Sequence, residues 1–173
     1  CSGDIIWTYT YQDCAGQTYE WIYTFTIIEP VVNMPASETE TVECPSEVIA
    51  PEEQTILDNC GRELQFLGMD VQDDSNDCYG TIVYTYNYLD CAGAEYSYTY
   101  TFEVLAPVVN MPANDGEQVA CPPDEIDTDF TPPVVTDNCG RELSWTGPVE
   151  SGDYNGCSGD IIWTYTYQDC AGQ

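Results

Sequence analysis

The sequence predicts an all-β protein of tandem β-sandwich domains stapled by disulfides. Three observations carry this. Aromatic and β-branched residues alternate with polar ones at a strict period of two. Pro and Gly punctuate every gap, and no stretch keeps helical spacing for more than a turn. Finally, the chain repeats itself: residues 1–17, CSGDIIWTYTYQDCAGQ, recur letter for letter as residues 157–173, with a weaker copy, CYGTIVYTYNYLDCAG, at 78–93. The first unit is 77 residues long (Cys1 to Cys78) and the second 79 (Cys78 to Cys157). Periods this long mean one domain per repeat, in a segment of a longer array.

The elements follow in order. Ile5–Tyr11 and Tyr19–Ile27 alternate around Asp13-Cys14-Ala15-Gly16 and read as a β-hairpin. Ile82–Leu89 and Tyr96–Val104 form its counterpart, with Ile82, Tyr84, Tyr86 and Tyr88 on one face. The opposite faces carry Thr85, Asn87, Ser97, Thr99, Thr101 and Glu103, so the aromatic stripe is core rather than a sugar-stacking surface. Shorter strands are expected at Thr41–Cys44, Thr55–Leu57 and Leu64–Leu67, and at Gln118–Cys121, Val134–Thr136 and Leu143–Trp145. Several short strands in a unit of this size imply a sandwich with an Ig-like arrangement. Pro30-Val-Val-Asn-Met-Pro35 and its copy Pro107–Pro112 are short joints made stiff by proline at both ends. They divide the chain into a closing hairpin (1–30), a complete domain (31–107) and a domain lacking its last strand (108–173).

Composition limits the partners. There are 31 acidic residues, two Arg, no Lys and no His, for a net charge of −29. Nucleic acid and anionic membranes are poor partners for such a chain, because phosphate binding rests on Lys and Arg. General-base and nucleophilic chemistry lack their usual residues, so no enzyme is expected. The absence of Lys excludes Lys–Asn isopeptide cross-links. Fourteen Tyr, four Trp and 43% hydrophobic residues exclude a disordered acidic tail.

Ten Cys indicate an oxidising compartment and disulfides rather than zinc, since His and CxxC pairs are absent. Cys78 and Cys91 bracket an extended strand and should lie about 40 Å apart, which rules out their pairing. In an Ig-like sandwich the loop holding Cys60 and the hairpin turn holding Cys91 share an end. The expected bonds are therefore Cys44–Cys78 and Cys60–Cys91, repeated as Cys121–Cys157 and Cys139–Cys170. Cys1 and Cys14 would then find their mates in a preceding repeat.

Val-x-Cys-Pro, then Asp-Asn-Cys-Gly, then a Tyr-x-Tyr-x-Asp-Cys-Ala-Gly hairpin resembles the hyalin repeat (HYR) family. The resemblance is closest to the four-cysteine HYR-like repeats of giant surface adhesins in Bacteroidota, gliding-motility adhesins among them. It implies an Ig-like fold, extracellular display on a bacterial cell surface or in a secreted fibre, and tandem stacking for adhesion or filament building.

Three groups of residues remain as candidate sites. Asp58, Asp90 and Asn33, with their copies Asp137, Asp169 and Asn110, suit Ca²⁺, which takes six to eight oxygens. The competing reading is turn chemistry, in which each Asp bonds its own backbone. No cofactor is required on either reading. An acidic run, Asp70, Asp73, Asp74, Asn76 and Asp77, reads as a solvated loop. Arg62 and Arg141, each directly after Cys-Gly, either clamp acids of a neighbouring repeat or bond within their own domain; with Pro30, Asn33, Pro35, Pro107, Asn110 and Pro112 they define the interdomain joint. Trp145 and its partner Phe66 are the aromatics best suited to an exposed ligand surface.

The expected function is mechanical: a stalk or fibre repeat of a secreted surface adhesin. Its partners are neighbouring repeats, other copies in a fibre, and surface glycans. The alternative is a calcium-dependent glycan- or ligand-binding module.

Overall fold

The computed structural model describes residues 1–120 and 130–173. Among these residues the protein is all-β, with a single turn of 3-10 helix at Pro45–Glu47. Eight strands are present: β1 (Gly3–Gln12), β2 (Thr18–Ile27), β3 (Glu38–Val42), β4 (Gln65–Asp73), β5 (Gly80–Leu89), β6 (Glu95–Val104), β7 (Ser144–Gly152) and β8 (Ile161–Gln168). They form a hairpin β1-β2, a four-stranded sheet in the order β3-β6-β5-β4, and a pair β7-β8.

The two hairpins lie where the period-two pattern put them. The β4 strand runs well past Leu67, taking in Asp70 and Asp73. Thr55–Leu57 and Val134–Thr136 shrink to isolated bridges, Leu57 with Glu63 and Thr136 with Glu142. Residues 118–120 form no strand, and Cys121 lies outside the described residues.

The chain separates into two compact units that interleave in sequence. One comprises residues 1–39, 50–72 and 83–101; the other comprises 40–49, 73–82 and 102–173. Each takes in parts of two successive repeats.

In the first unit Ile56, Leu64, Tyr86, Tyr88 and Tyr98 make the core, with Val32, Met34, Phe66, Tyr84 and Tyr96 packed against it. The Tyr86 and Tyr98 rings stack at 4.9 Å. Burying a Tyr requires a partner for its hydroxyl. Tyr86 donates to the Pro51 carbonyl, and Tyr88 to that of Gln54 at 2.9 Å. Phe66 is partly buried against this core and so is no exposed ligand surface.

In the second unit Val42, Cys44, Cys78, Ile82, Phe102, Val104 and Val135 are buried. Tyr167 repeats the tether, donating to the Pro133 carbonyl at 2.7 Å. Trp145 stays 45% exposed and packs edge-on against Tyr165.

Candidate functional site

The Asp-Asn-Cys-Gly-Arg segment is the most densely bonded feature, because Asp58, Asn59, Gly61 and Arg62 each have a separate task. Asp58 receives the backbone N–H of Cys60 at 2.8 Å and of Arg62 at 3.0 Å, closing its own turn. Its other oxygen takes the Arg62 Nε at 2.9 Å. Asn59 accepts the Val31 N–H on its side chain and returns its own N–H to the Val31 carbonyl. Val32 then bridges Asp58. Gly61 sits at φ 76°, a conformation that L side chains rarely adopt. The second copy repeats the pattern: Asp137 on Cys139 and Arg141, Asn138 on Val108, and Gly140 at φ 77°. Val31 and Val32, and likewise Val108 and Val109, are thereby pinned to the turn that follows them in sequence. Pro30, Pro35 and Pro107 are half-buried, while Pro112, Asn33 and Asn110 are exposed.

Arg141 reaches further. Its Nη1 donates to the Asp77 carbonyl at 2.7 Å and approaches that of Cys78 at 3.4 Å, both in the preceding repeat, while its Nε holds Asp137. The two readings of this arginine are therefore both realised on one side chain. The neighbouring repeat is gripped through carbonyls, however, and not through acids. Arg62 holds Asp58 in the equivalent way.

The disulfides depart from expectation. Cys1 bonds Cys91, Cys44 bonds Cys139 and Cys78 bonds Cys170, with Cα–Cα distances of 5.5, 5.5 and 5.7 Å. The expected Cys44–Cys78, Cys60–Cys91 and Cys139–Cys170 pairs are absent, and Cys1 has its mate inside this chain. Cys14, Cys60 and Cys157 are free and exposed. The expected Cys121–Cys157 pair rests on a residue outside those described, yet Cys157 itself carries no bond. The strand argument against Cys78–Cys91 was sound. The turns holding Cys91, Cys139 and Cys170 each bond a strand end of the repeat before, so these bonds run between repeats and not within one. Cysteine counting does not distinguish these, because repeats with matching cysteine positions offer the same mates within a copy and one copy away.

Asp90 caps the β5-β6 turn, receiving the N–H groups of Ala92 and Ala94 at 2.8 Å each and the Tyr96 hydroxyl at 3.2 Å. Asp169 does the same for Ala171 and Gln173. Backbone donors hold several of these carboxyls below the ordinary Asp range. For Asp58 the largest contribution is the Arg62 N–H, and for Asp90 the Ala94 N–H. For Asp137 burial works the other way, but the N–H and guanidinium of Arg141 outweigh it. This is the turn chemistry weighed against calcium. Among the described residues no group of three or more acidic or Cys side chains is arranged to hold a metal ion. In the acidic run, Asp73 receives the N–H and hydroxyl of the buried Ser75, and Asp70 accepts from Asn87.

These features recur once per repeat, and comparison with known proteins returns the same units. The family model of the HYR-like domain with four cysteines matches residues 1–27, 32–104 and 109–173. Hyalin of Lytechinus variegatus is 27% identical over 98% of this chain, and hyalin of Strongylocentrotus purpuratus 30% identical over 98%. The chain spans only 34% and 15% of the lengths of those two relatives. With three successive matches covering nearly its whole length, the chain belongs to the family of HYR-like domains with four cysteines.

Proposed function

We propose that this chain is a load-bearing segment of an extracellular stalk or fibre, from a secreted bacterial surface adhesin, and that its role is structural rather than catalytic. One observation carries the reading: among the described residues all three disulfides join successive repeats and none closes within a repeat. Each bond ties residues 90 or more apart in sequence, so it resists the separation of successive repeats along the chain. Arg141 reinforces the link to the preceding repeat with a hydrogen bond to the Asp77 carbonyl. Persistent disulfides also require an oxidising compartment, which agrees with display outside the cell. Neighbouring repeats are the first partners on this reading.

The test is immunogold labelling of intact producing cells with antibodies raised against the chain. Label on extracellular filaments or at the cell surface is the expected outcome. Label confined to the cell interior would sink the reading.

A further inference from the structure

The disulfides obey one register rule. Cys1 and Cys78 are equivalent Cys-x-Gly cysteines, and each bonds the Asp-Cys-Ala-Gly cysteine of the next repeat, Cys91 or Cys170. Cys44, the Cys-Pro cysteine, bonds the Asp-Asn-Cys-Gly cysteine of the next repeat, Cys139. The three free cysteines fit the same rule with one partner absent. Cys14 is the equivalent of Cys91 and Cys170, Cys60 of Cys139, and Cys157 of Cys1 and Cys78; all three are exposed.

We propose that Cys14, Cys60 and Cys157 are half-staples whose mates are the matching cysteines of adjoining copies of this repeat, and that the array therefore contains a continuous covalent path distinct from its backbone order. Traced from Cys1, the path crosses to Cys91, runs backward along β5 to Cys78, crosses to Cys170, and runs backward along β8 to Cys157. One strand per repeat carries it. Those strands are already extended, at about 3.3 Å per residue against a limit of about 3.6 Å, so the path has almost no slack. A second line runs through Cys60, Cys44 and Cys139. Under load the stiff joints and the remaining strands are bypassed, and the array cannot lengthen by unfolding. Each new staple converts two thiols to one disulfide. The two electrons and two protons pass to a disulfide oxidant, which leaves as two thiols.

This inference deepens the structural reading, yet its test does not depend on where the protein resides. The chain, refolded with oxidised glutathione, is stretched between residues 1 and 173 in single-molecule force spectroscopy. With the staples closed, the taut path holds only the segment from Cys78 to Cys91 and the last three residues, about 55 Å; after reduction it is about 600 Å. The expected result is thus roughly a tenfold gain in extension on adding reductant. An oxidised extension several-fold above 55 Å, as bonds closed within repeats would give, overturns the path. The half-staples are tested on residues 1–156 followed directly by residues 1–173. Peptide mapping should link Cys60 of the second copy to the Cys-Pro cysteine of the repeat before it, leaving Cys14 and Cys60 of the first copy as thiols. A free Cys60 in the second copy, or one bonded within its own repeat, rejects the rule.

Discussion

The hairpins β1-β2 and β5-β6 carry the same pattern at a spacing of 77 residues, but only β5-β6 has a covering segment within these 173 residues. Their turns are alike: Asp13 and Asp90 each receive two backbone N–H groups and a Tyr hydroxyl at 3.2 Å. Their strands are equally regular, with Tyr9 facing Trp21 and Trp7 facing Tyr23 in β1-β2. Yet Tyr86 and Tyr88 are 1% exposed, whereas Tyr9 and Tyr11 are 43% and 58% exposed. What differs is the covering layer. The segment carrying Pro51, Gln54, Ile56, Leu64 and Phe66 closes over β5-β6. Turn and strand are properties of ten-residue stretches; burial belongs to the strands brought from elsewhere in the chain.

The comparison can be broken at matched positions. The largest effect is expected for Tyr86→Ala, which removes a buried ring and its hydrogen bond and should cost about 3–5 kcal/mol. Tyr9→Ala, on the exposed counterpart, should stay within about 0.5 kcal/mol. Urea midpoints of the two variants measure the difference, and equal shifts would mean that the two faces are equally covered.

Arg141→Gln should cost about 2–3 kcal/mol, because it strips Asp137 of its guanidinium and frees the carbonyls of the preceding repeat. Arg62→Gln should cost less, since Arg62 is 42% exposed against 28% for Arg141. A larger loss at Arg62 in the same titration would reverse the ranking of the two joints.

Gly80 and Gly3 are equivalent and share positive φ, 138° and 134°. A Cβ at Gly80 would lie 2.6 Å from the Asp74 carbonyl oxygen, whereas one at Gly3 meets nothing within 4 Å. Gly80→Ala should therefore lower stability by about 1–3 kcal/mol and Gly3→Ala by about 1 kcal/mol. Thermal melts of the pair decide it.

The smallest effect concerns acid. Asp58 and Asp90 titrate below 3.8 in the folded state because backbone N–H groups favour the carboxylate. The unfolded chain then binds more protons, so this stabilisation is complete above the unfolded value and is lost as pH falls through the lower folded one. Melting temperature should drop below about pH 4, and Asp90→Asn should flatten that drop. An unchanged profile in the variant would remove Asp90 from the account.

Legibility in the sequence followed the range of the interaction. The hairpins and the Asp-capped turns are readable in the sequence, because alternation and Asx chemistry act within a few residues. Arg141 was visible as a conserved-in-register cation between the two repeats, but its grip on the Asp77 carbonyl was not, since backbone acceptors leave no mark in a sequence. Phe66 and Trp145 looked alike on paper. They diverge because Phe66 meets the Tyr88 ring at 5.3 Å inside a closed core, while Trp145 keeps nearly half its surface in solvent.

The sequence by itself determined the all-β class, the repeat period, the two-faced hairpins and the cysteine inventory, all of which follow from local periodicity and residue chemistry. Only the tertiary structure decided which cysteines meet. A disulfide forms where two Cα atoms come within about 6 Å, and here those approaches span 90, 95 and 92 residues, from one repeat to the next. Repeats with matching cysteine positions give a cysteine mates both within its copy and in the next, and only the packing of one repeat's turns against another's strand ends distinguishes them.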